Sequence, residues 1–153
     1  METGPIQESL LAVLPFWNYQ IARPFKQLLD DGVSMEMYYC LQAIRSFDET
    51  MTMSELGQRI HMSKQQMTKI VNRLVEHEFV SRVYDPQNRR VIKVQITEKA
   101  LSYIKQFSTK NTECFGPLLE KMDEKDLTDF RQAIDTLTRI LSKIPLEGHC
   151  DSC

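Results

Sequence analysis

A chain of 153 residues, 42% hydrophobic and 26% charged, fits one soluble domain, alone or with helical extensions. Its longest apolar run, residues 10–17, is too short to span a bilayer, and the acidic residues before it are not those of a secretory signal. We therefore expect a cytoplasmic protein with no membrane partner, whose four cysteines are reduced rather than bridged.

The first predicted element is one long helix over about residues 5–29. Its apolar residues recur at steps of three and four, which places them on one face, and they are Ile6, Leu10, Val13, Leu14, Trp17, Ile21, Phe25 and Leu28. Pro15 or Pro24 is expected to bend it. Ser34 is placed to cap a second helix. The expected inner face of that helix holds Met37, Tyr38, Leu41, Ile44 and the stem of Arg45.

Two short capped helices should follow. Thr52 with Glu55 and Ser63 with Gln66 have the spacing of capping boxes, so each pair predicts a helix start. Gly57 costs helix stability, and we interpret it as allowing close approach of the second of these helices. That helix has a clean inward stripe formed by Met67, Ile70, Val71, Leu74 and Val75.

A two-stranded β ribbon is predicted next, over residues 80–84 and 91–96, and its turn, residues 85–90, ends in two arginines. Thr97 is expected to cap a long helix that Gly116-Pro117 breaks. Asp123 is expected to cap a last helix that Pro145 stops. This order of elements predicts a mainly α fold with a small β wing, which is the plan of a winged helix-turn-helix.

Charge is concentrated on the same segment. Residues 52–99 hold nine basic and five acidic side chains, a net charge of +4, whereas the rest of the chain carries −6. A basic middle between acidic ends directs attraction for a polyanion to one module. Chance scatter of charge is the alternative, but the excess lies on the two elements that should touch DNA.

Together these residues resemble the MarR family of bacterial winged-helix transcriptional regulators over about residues 10–141. The family's Leu-Ala-like pair, polar recognition helix, wing and Leu-Thr-x-x-Gly motif correspond to Leu56-Gly57, residues 63–76, Asn88-Arg89-Arg90 and residues 96–100. The resemblance implies an obligate homodimer. Residues 1–33 and 100–145 would be dimerisation helices, residues 34–99 the DNA-binding domain, and residues 146–153 a flexible tail.

Asn88 departs from the family, which usually has an aspartate there that orients the arginine corresponding to Arg90. An amide oxygen accepts a hydrogen bond without charge assistance, and such a bond is roughly half as strong. We expect Arg90 to be held less firmly, or Asp85 to take over this role.

Double-stranded DNA is therefore the predicted partner. Recognition-helix contacts are expected from Ser63, Lys64, Gln65, Gln66, Thr68, Lys69 and Arg73, and wing contacts from Asn88, Arg89 and Arg90. Glutamine pairs with adenine, while lysine and arginine reach guanine or phosphate. Arginine at a hairpin tip suits a narrow minor groove. The alternatives are a solvated helix face and a charged turn that keeps a sheet edge soluble.

An effector site is a second expectation. Trp17, Tyr38 and Arg45 are candidates for lining a cavity between the dimer helices and the winged lobes, where the family often binds small aromatic or anionic molecules. Plain packing in the core or at the dimer interface is the alternative reading of these residues.

Cysteine chemistry offers a weaker hypothesis. The tail sequence HCDSC, with His149, Cys150 and Cys153, has one CxxC spacing, which could serve a zinc or redox site but is also typical of incidental terminal cysteines. Cys40 lies in an apolar context and is interpreted as a core residue rather than a sensor, while Cys114 is left undecided.

We thus predict a sequence-specific homodimeric regulator, most often a repressor at a palindromic operator, that a small-molecule or redox signal releases. The alternatives are a winged helix that contacts only protein and a metal- or thiol-responsive regulator that uses the tail. No phosphate loop, nucleophile elbow or metal spacing of an enzyme is present in the sequence, so we expect no catalysis and no cofactor.

Overall fold

The computed structural model describes residues 2–47 and 50–144. A long N-terminal helix comprises α1 (Gly4–Trp17), a π-helical turn (Asn18–Ala22) and α2 (Arg23–Leu28). The winged helix-turn-helix follows. It contains α3 (Met35–Arg45), β1 (Thr50–Thr52), α4 (Met53–Ile60), α5 (Lys64–Glu76), β2 (Val80–Tyr84) and β3 (Ile92–Ile96). Two further helices, α6 (Glu98–Leu119) and α7 (Glu124–Leu141), complete the described chain.

The irregularity of the first helix lies between Pro15 and Pro24 rather than at either of them. Pro15 is inside α1 and Pro24 is in the first turn of α2. Between them the Arg23 amide donates to the carbonyl of Asn18, five residues back. Because proline lacks an N–H and clashes with the preceding turn, a wider turn between the two accommodates both without ending the helix.

The predicted helix starts of the middle segment are confirmed. In both capping boxes the side-chain and backbone bonds are formed in each direction, at Thr52–Glu55 and Ser63–Gln66. Gly57 does permit close approach, since a Cβ at this position would lie 3.2 Å from Cγ of Met67 and 3.3 Å from the carbonyl oxygen of Met62.

The inner face of α3 differs from the prediction at one position. Met37, Cys40, Leu41 and Ile44 are buried and Tyr38 is half-buried, but Arg45 is exposed. Arg45 occupies the last turn, where a guanidinium favours solvent and the negative end of the helix dipole. Cys40, at a three-residue step from Met37, completes the buried face instead.

The sheet has three strands, not the two predicted. Its order is β1-β3-β2, and both neighbouring pairs are antiparallel. Thr50 pairs with Gln95 on one side of β3, while Val80 pairs with Ile96 on the other. The β1 strand has only three residues and leads directly into the cap of α4, so it has no alternation to detect.

The α6 helix also extends further than expected. Pro117 lies inside it, and the helix continues to Leu119. Proline removes one hydrogen bond near the end of the helix, whereas the next turn still closes through the bond from the Glu120 amide to the Gly116 carbonyl. Asp123 caps α7, as predicted. None of the described helices is both long and apolar enough to cross a membrane.

Most buried side chains lie in the middle of the molecule. One core cluster runs from Val33 to Phe107 and joins α3, α4, α5, the sheet and the first half of α6. In contrast, α1 and α7 contain no buried residue. The core therefore positions the winged helix, and the two terminal helices leave it with their apolar side chains uncovered.

Candidate nucleic-acid interface

The N-terminus of α5 is electrostatically prepared for an anion. Ser63 caps it, no acidic residue occupies its first turn, and Lys64 is its first residue. A helix N-terminus carries partial positive charge, so a lysine there is unfavourable by roughly 0.3–1 kcal/mol unless an anion is close. A DNA phosphate would reverse that penalty.

The structure divides the predicted recognition residues into two groups. Ser63 and Gln66 bond one another's backbone, and the Thr68 hydroxyl donates to the Lys64 carbonyl over 2.9 Å. In contrast, Lys64, Gln65 and Lys69 are exposed and form no side-chain hydrogen bond with the described part of the chain. Gln65 is thus the amide with both donor and acceptor available for an adenine edge.

Arg73, the last of the predicted contacts, has a partner within the chain. Its Nη2 atom donates to the carbonyl oxygen of Gly32 at 2.7 Å, across 41 positions of sequence. Gly32 belongs to the turn between α2 and α3. One face of the recognition helix is therefore tied to the end of the N-terminal helix.

A second arginine connects α5 to the wing. Arg82 of β2 donates from Nη2 to Oδ1 of Asn72. The sequence prediction did not include Arg82 as a functional residue, although a signal was present. Arg82 lies two residues after the buried Val80 and so faces the same side of its strand, where a charged side chain needs a partner.

The wing tip is a compact turn built by two side-chain caps. Oδ1 of Asp85 accepts from the Gln87 amide at 2.9 Å, and Oδ1 of Asn88 accepts from the Arg90 amide at 3.1 Å. Backbone bonds between Asp85 and Val91 and between Val91 and Asn88 close the hairpin. The tip is thus ordered by its own hydrogen bonds before any ligand binds.

Asn88 and Asp85 therefore hold backbone, not the side chain of Arg90. Of the two alternatives expected for Arg90, its orientation by Asp85 is not formed, because no hydrogen bond or ion pair joins Asp85 to Arg90 among the described residues and Oδ1 of Asp85 accepts from the Gln87 amide instead. Among the described residues, neither Arg89 nor Arg90 has a side-chain hydrogen bond or ion pair, and both are exposed. Two unpaired guanidinium groups thus extend from an ordered turn.

The predicted effector residues occupy different environments in a single chain. Trp17 is 42% exposed. Tyr38 is half-buried, accepts a hydrogen bond from Nε2 of Gln42 at 2.6 Å and packs edge-on against Phe25 and Phe107. Arg45 is exposed. Two surface concavities, one beside Phe47 and Arg59 and one beside Arg23 and Lys26, contain none of these three candidates.

Burial disfavours the thiolate form of the two cysteines among the described residues. Cys40 is fully buried, and desolvation, with the nearby Glu36 carboxylate, raises the pKa of its thiol to about 12. Burial also raises the pKa of the Cys114 thiol. The interpretation of Cys40 as a core residue is confirmed. His149, Cys150 and Cys153 lie outside the described residues, and within residues 2–47 and 50–144 no group of His, Cys, Asp and Glu has metal-site geometry.

A model of the MarR family matches residues 33–92, the segment that contains the helix-turn-helix and the wing. The chain is 26% identical to the uncharacterized HTH-type transcriptional regulator YpoP of Bacillus subtilis over 125 residues, which are 82% of this chain and 83% of YpoP.

Solved structures share the fold over nearly the whole chain. A MarR family protein from Bacillus stearothermophilus superposes with a TM-score of 0.73 at 18% identity, over 94% of this chain and 99% of that one. BpsR of Bordetella bronchiseptica, whose DNA binding is regulated by 6-hydroxynicotinic acid, has a TM-score of 0.66 at 15% identity, over 88% and 99% of the two chains. The mainly α architecture with a small β wing is thus confirmed.

Proposed function

We propose that this protein, which belongs to the MarR family, is a homodimeric transcriptional regulator that binds a palindromic double-stranded DNA operator. One observation carries the proposal, namely that two cationic elements lie in the same winged helix. The N-terminus of α5 favours an anion and is followed by free lysine and glutamine side chains. The wing tip is ordered by its own hydrogen bonds and presents two arginines without side-chain partners among the described residues. A helix for the major groove and a cationic loop for the backbone or minor groove are the two parts that a winged reader of DNA needs.

Different contacts follow from the different environments of the side chains. We assign base reading in the major groove to Gln65, and phosphate or guanine contacts to Lys64 and Lys69. Ser63, Gln66 and Thr68 keep their intrahelical bonds and offer only their remaining donors to phosphates. Their main contribution is to hold the N-terminus of the recognition helix in shape.

In the wing we assign Arg90 to the minor groove and Arg89 to a phosphate. Narrow A·T-rich grooves have the most negative potential, which favours a guanidinium that has no internal partner. Asn88 supports this contact indirectly, because its hydrogen bond to the Arg90 amide sets the direction in which that residue leaves the turn.

The terminal helices support the homodimer. Large apolar side chains on α1 are exposed, among them Leu10 at 57%, Leu14 at 58% and Phe16 at 68%. Those on α7 include Leu137 at 46% and Leu141 at 61%. An apolar surface of this extent is rare on a monomer, and a second copy of the chain would cover it. The two winged lobes would then reach half-sites about one helical turn apart.

We further propose repression that a small molecule relieves, by analogy with BpsR, whose DNA binding is regulated by 6-hydroxynicotinic acid. Trp17, Tyr38 and Arg45 remain our candidates for the effector pocket, which only a dimer would complete. The burial of Cys40 and Cys114 favours a small molecule over oxidation at these two residues. The protein would act in the cytoplasm and would have no catalytic activity.

Selection of bound sites from random duplex DNA with reduced protein, at two salt concentrations, tests this function. We expect a palindromic consensus and a steep fall of affinity with salt, because phosphate contacts release counterions. Absence of enrichment would overturn the proposal and favour a winged helix that contacts protein. Enrichment only with added zinc or oxidant would instead implicate the HCDSC tail.

A further inference from the structure

We infer that the turn formed by residues 30–33 is a junction that holds the recognition helix against the end of the N-terminal helix and against α6, and that Arg73 is a positioning residue in it rather than a contact to DNA. This inference rests on the proposed function. It replaces the direct DNA contact first expected of Arg73 with an internal one.

Two side chains from distant elements hold the turn. Arg73 of α5 donates to the Gly32 carbonyl at 2.7 Å, and the hydroxyl of Tyr103 of α6 accepts from the Asp30 amide at 3.0 Å. The amide of Val33 bonds the carbonyl of Asp30 and closes the turn itself. The same four-residue segment is thus bonded to the recognition helix and to the helix that follows the wing.

A column of aromatic rings lies beneath these bonds. His77, at the C-terminus of α5, stacks on Phe79 with centroids 5.5 Å apart, and Phe79 stacks on Tyr103 at 4.9 Å. Tyr103 in turn meets Phe107 edge-on, and Phe107 lies 5.4 Å from Phe25 of α2. The column therefore runs from the end of the recognition helix through α6 to the N-terminal helix.

Gly32 closes the junction sterically. Its φ of +83° suits glycine, and a Cβ at this position would lie 3.4 Å from Nε2 of His77. The turn therefore packs onto the first ring of the column and bonds the third through Asp30. Because α1, α2, α6 and α7 are the elements that would form the dimer, this junction sets the angle of α5 relative to the partner's α5.

Arg73 differs in its hydrogen bonding from Lys69, which lies one turn earlier on the same helix. Both are exposed and both carry one positive charge, but Lys69 has no side-chain hydrogen bond within the described residues. Loss of charge is therefore matched between Arg73→Gln and Lys69→Gln, whereas loss of the junction belongs to Arg73→Gln alone. Tyr103→Phe weakens the junction from a buried position that cannot reach DNA.

The experiment compares the full-length dimer and these three variants by operator affinity over a range of salt concentrations. We expect Arg73→Gln to weaken operator binding about tenfold, with the salt dependence of the wild type. Tyr103→Phe should weaken it severalfold in the same way. Lys69→Gln should make the fall of log affinity with log salt less steep, by about 0.9 per protomer, because a phosphate contact is lost.

Hydrogen exchange of the Val33 amide, measured without DNA, gives an independent readout. It should accelerate in Arg73→Gln and Tyr103→Phe and stay unchanged in Lys69→Gln. A lowered salt slope in Arg73→Gln with unchanged Val33 exchange would overturn the inference in favour of direct phosphate contact. Wild-type affinity in both junction variants would overturn it as well. If the wild type selects no DNA, the proposed function fails, while the exchange data still decide whether the junction exists.

Discussion

Two regions of the molecule differ in how much they bury. We call residues 33–107 the body, and α1 and α7 the arms. From Val33 to Phe107 the chain buries a continuous core that includes Met37, Leu41, Leu56 and Leu74, all of them fully buried. Helices α1 and α7 bury nothing, although leucine, isoleucine and aromatic residues line them. The body thus holds its own fold, whereas the arms expose an apolar surface that the proposed dimer would cover. Substitutions should therefore separate the two regions.

Leu41→Ala should give the largest effect. It removes a fully buried side chain from the centre of the body and should lower the free energy of unfolding by roughly 2–5 kcal/mol. Urea denaturation measures this loss, with Gln58→Ala on the surface of α4 as the control within about 0.5 kcal/mol. A loss no larger than that of the control would show that this core does not stabilise the body.

Leu137→Asp should weaken dimerisation through the arms and leave the fold of the body unchanged. A carboxylate in the apolar face of α7 would weaken dimerisation by about 2 kcal/mol or more, or roughly 30-fold. Analytical ultracentrifugation reports the dissociation constant, and circular dichroism checks that the helices persist. Gln132→Asp, on the opposite side of the same helix, is the matched control. A dimer of unchanged affinity would show that α7 is not part of the interface.

Arg90→Ala should act on DNA without touching either region's stability. We expect operator binding to weaken tenfold or more, about 1.4 kcal/mol, while the dimer and the melting temperature are retained. A mobility-shift titration measures the change. Unchanged operator affinity would remove Arg90 from the interface, and a loss of dimer would mean that body and arms are not independent.

The smallest expected effect comes from Cys40, and this effect appears only at high pH. Its thiol has a pKa of about 12 in the folded protein, above that of an unfolded chain. The stability that it contributes is therefore complete below the unfolded pKa and is lost as pH rises from about 9 toward 12. Between pH 8 and 10 the wild type should lose about 1 kcal/mol more than Cys40→Ala in urea denaturation. Equal losses in the two proteins would show that the thiol is not shielded.

Local signals in the sequence predicted most of the body. Both capping boxes, the inward stripe of α5 and the role of Gly57 depend on residues within about ten positions of one another, and these were confirmed. The β1 strand was missed because three residues are too few to show the alternation of polar and apolar side chains that marks a strand. The extent of α6 was misjudged at Pro117, because the tolerance of a helix end for proline depends on the turns around it.

For the interface, the sequence predicted which face carries the chemistry but not which side chains are free. Gln65 and Gln66 are identical residues in adjacent positions, and the capping bond to Ser63 distinguishes them. The capping spacing already contained this information. The pairings of Arg73 with Gly32 and Tyr103 with Asp30 span 41 and 73 positions, so only the tertiary fold brings them together.

The π-helical turn at Asn18–Ala22 sets the rotation of α1 about the helix axis relative to α2. An α-helix advances about 100° per residue, so one extra residue in a turn rotates everything before it by about that angle relative to everything after it. Deleting one residue of this turn would restore a regular helix and rotate the exposed leucines of α1 by roughly a quarter of a circle about its axis. The body would fold as before, while its arm would present a different side to the second chain. In the proposed dimer, the geometry of the pair would therefore be set in part by a single inserted residue that lies in neither the core nor the wing.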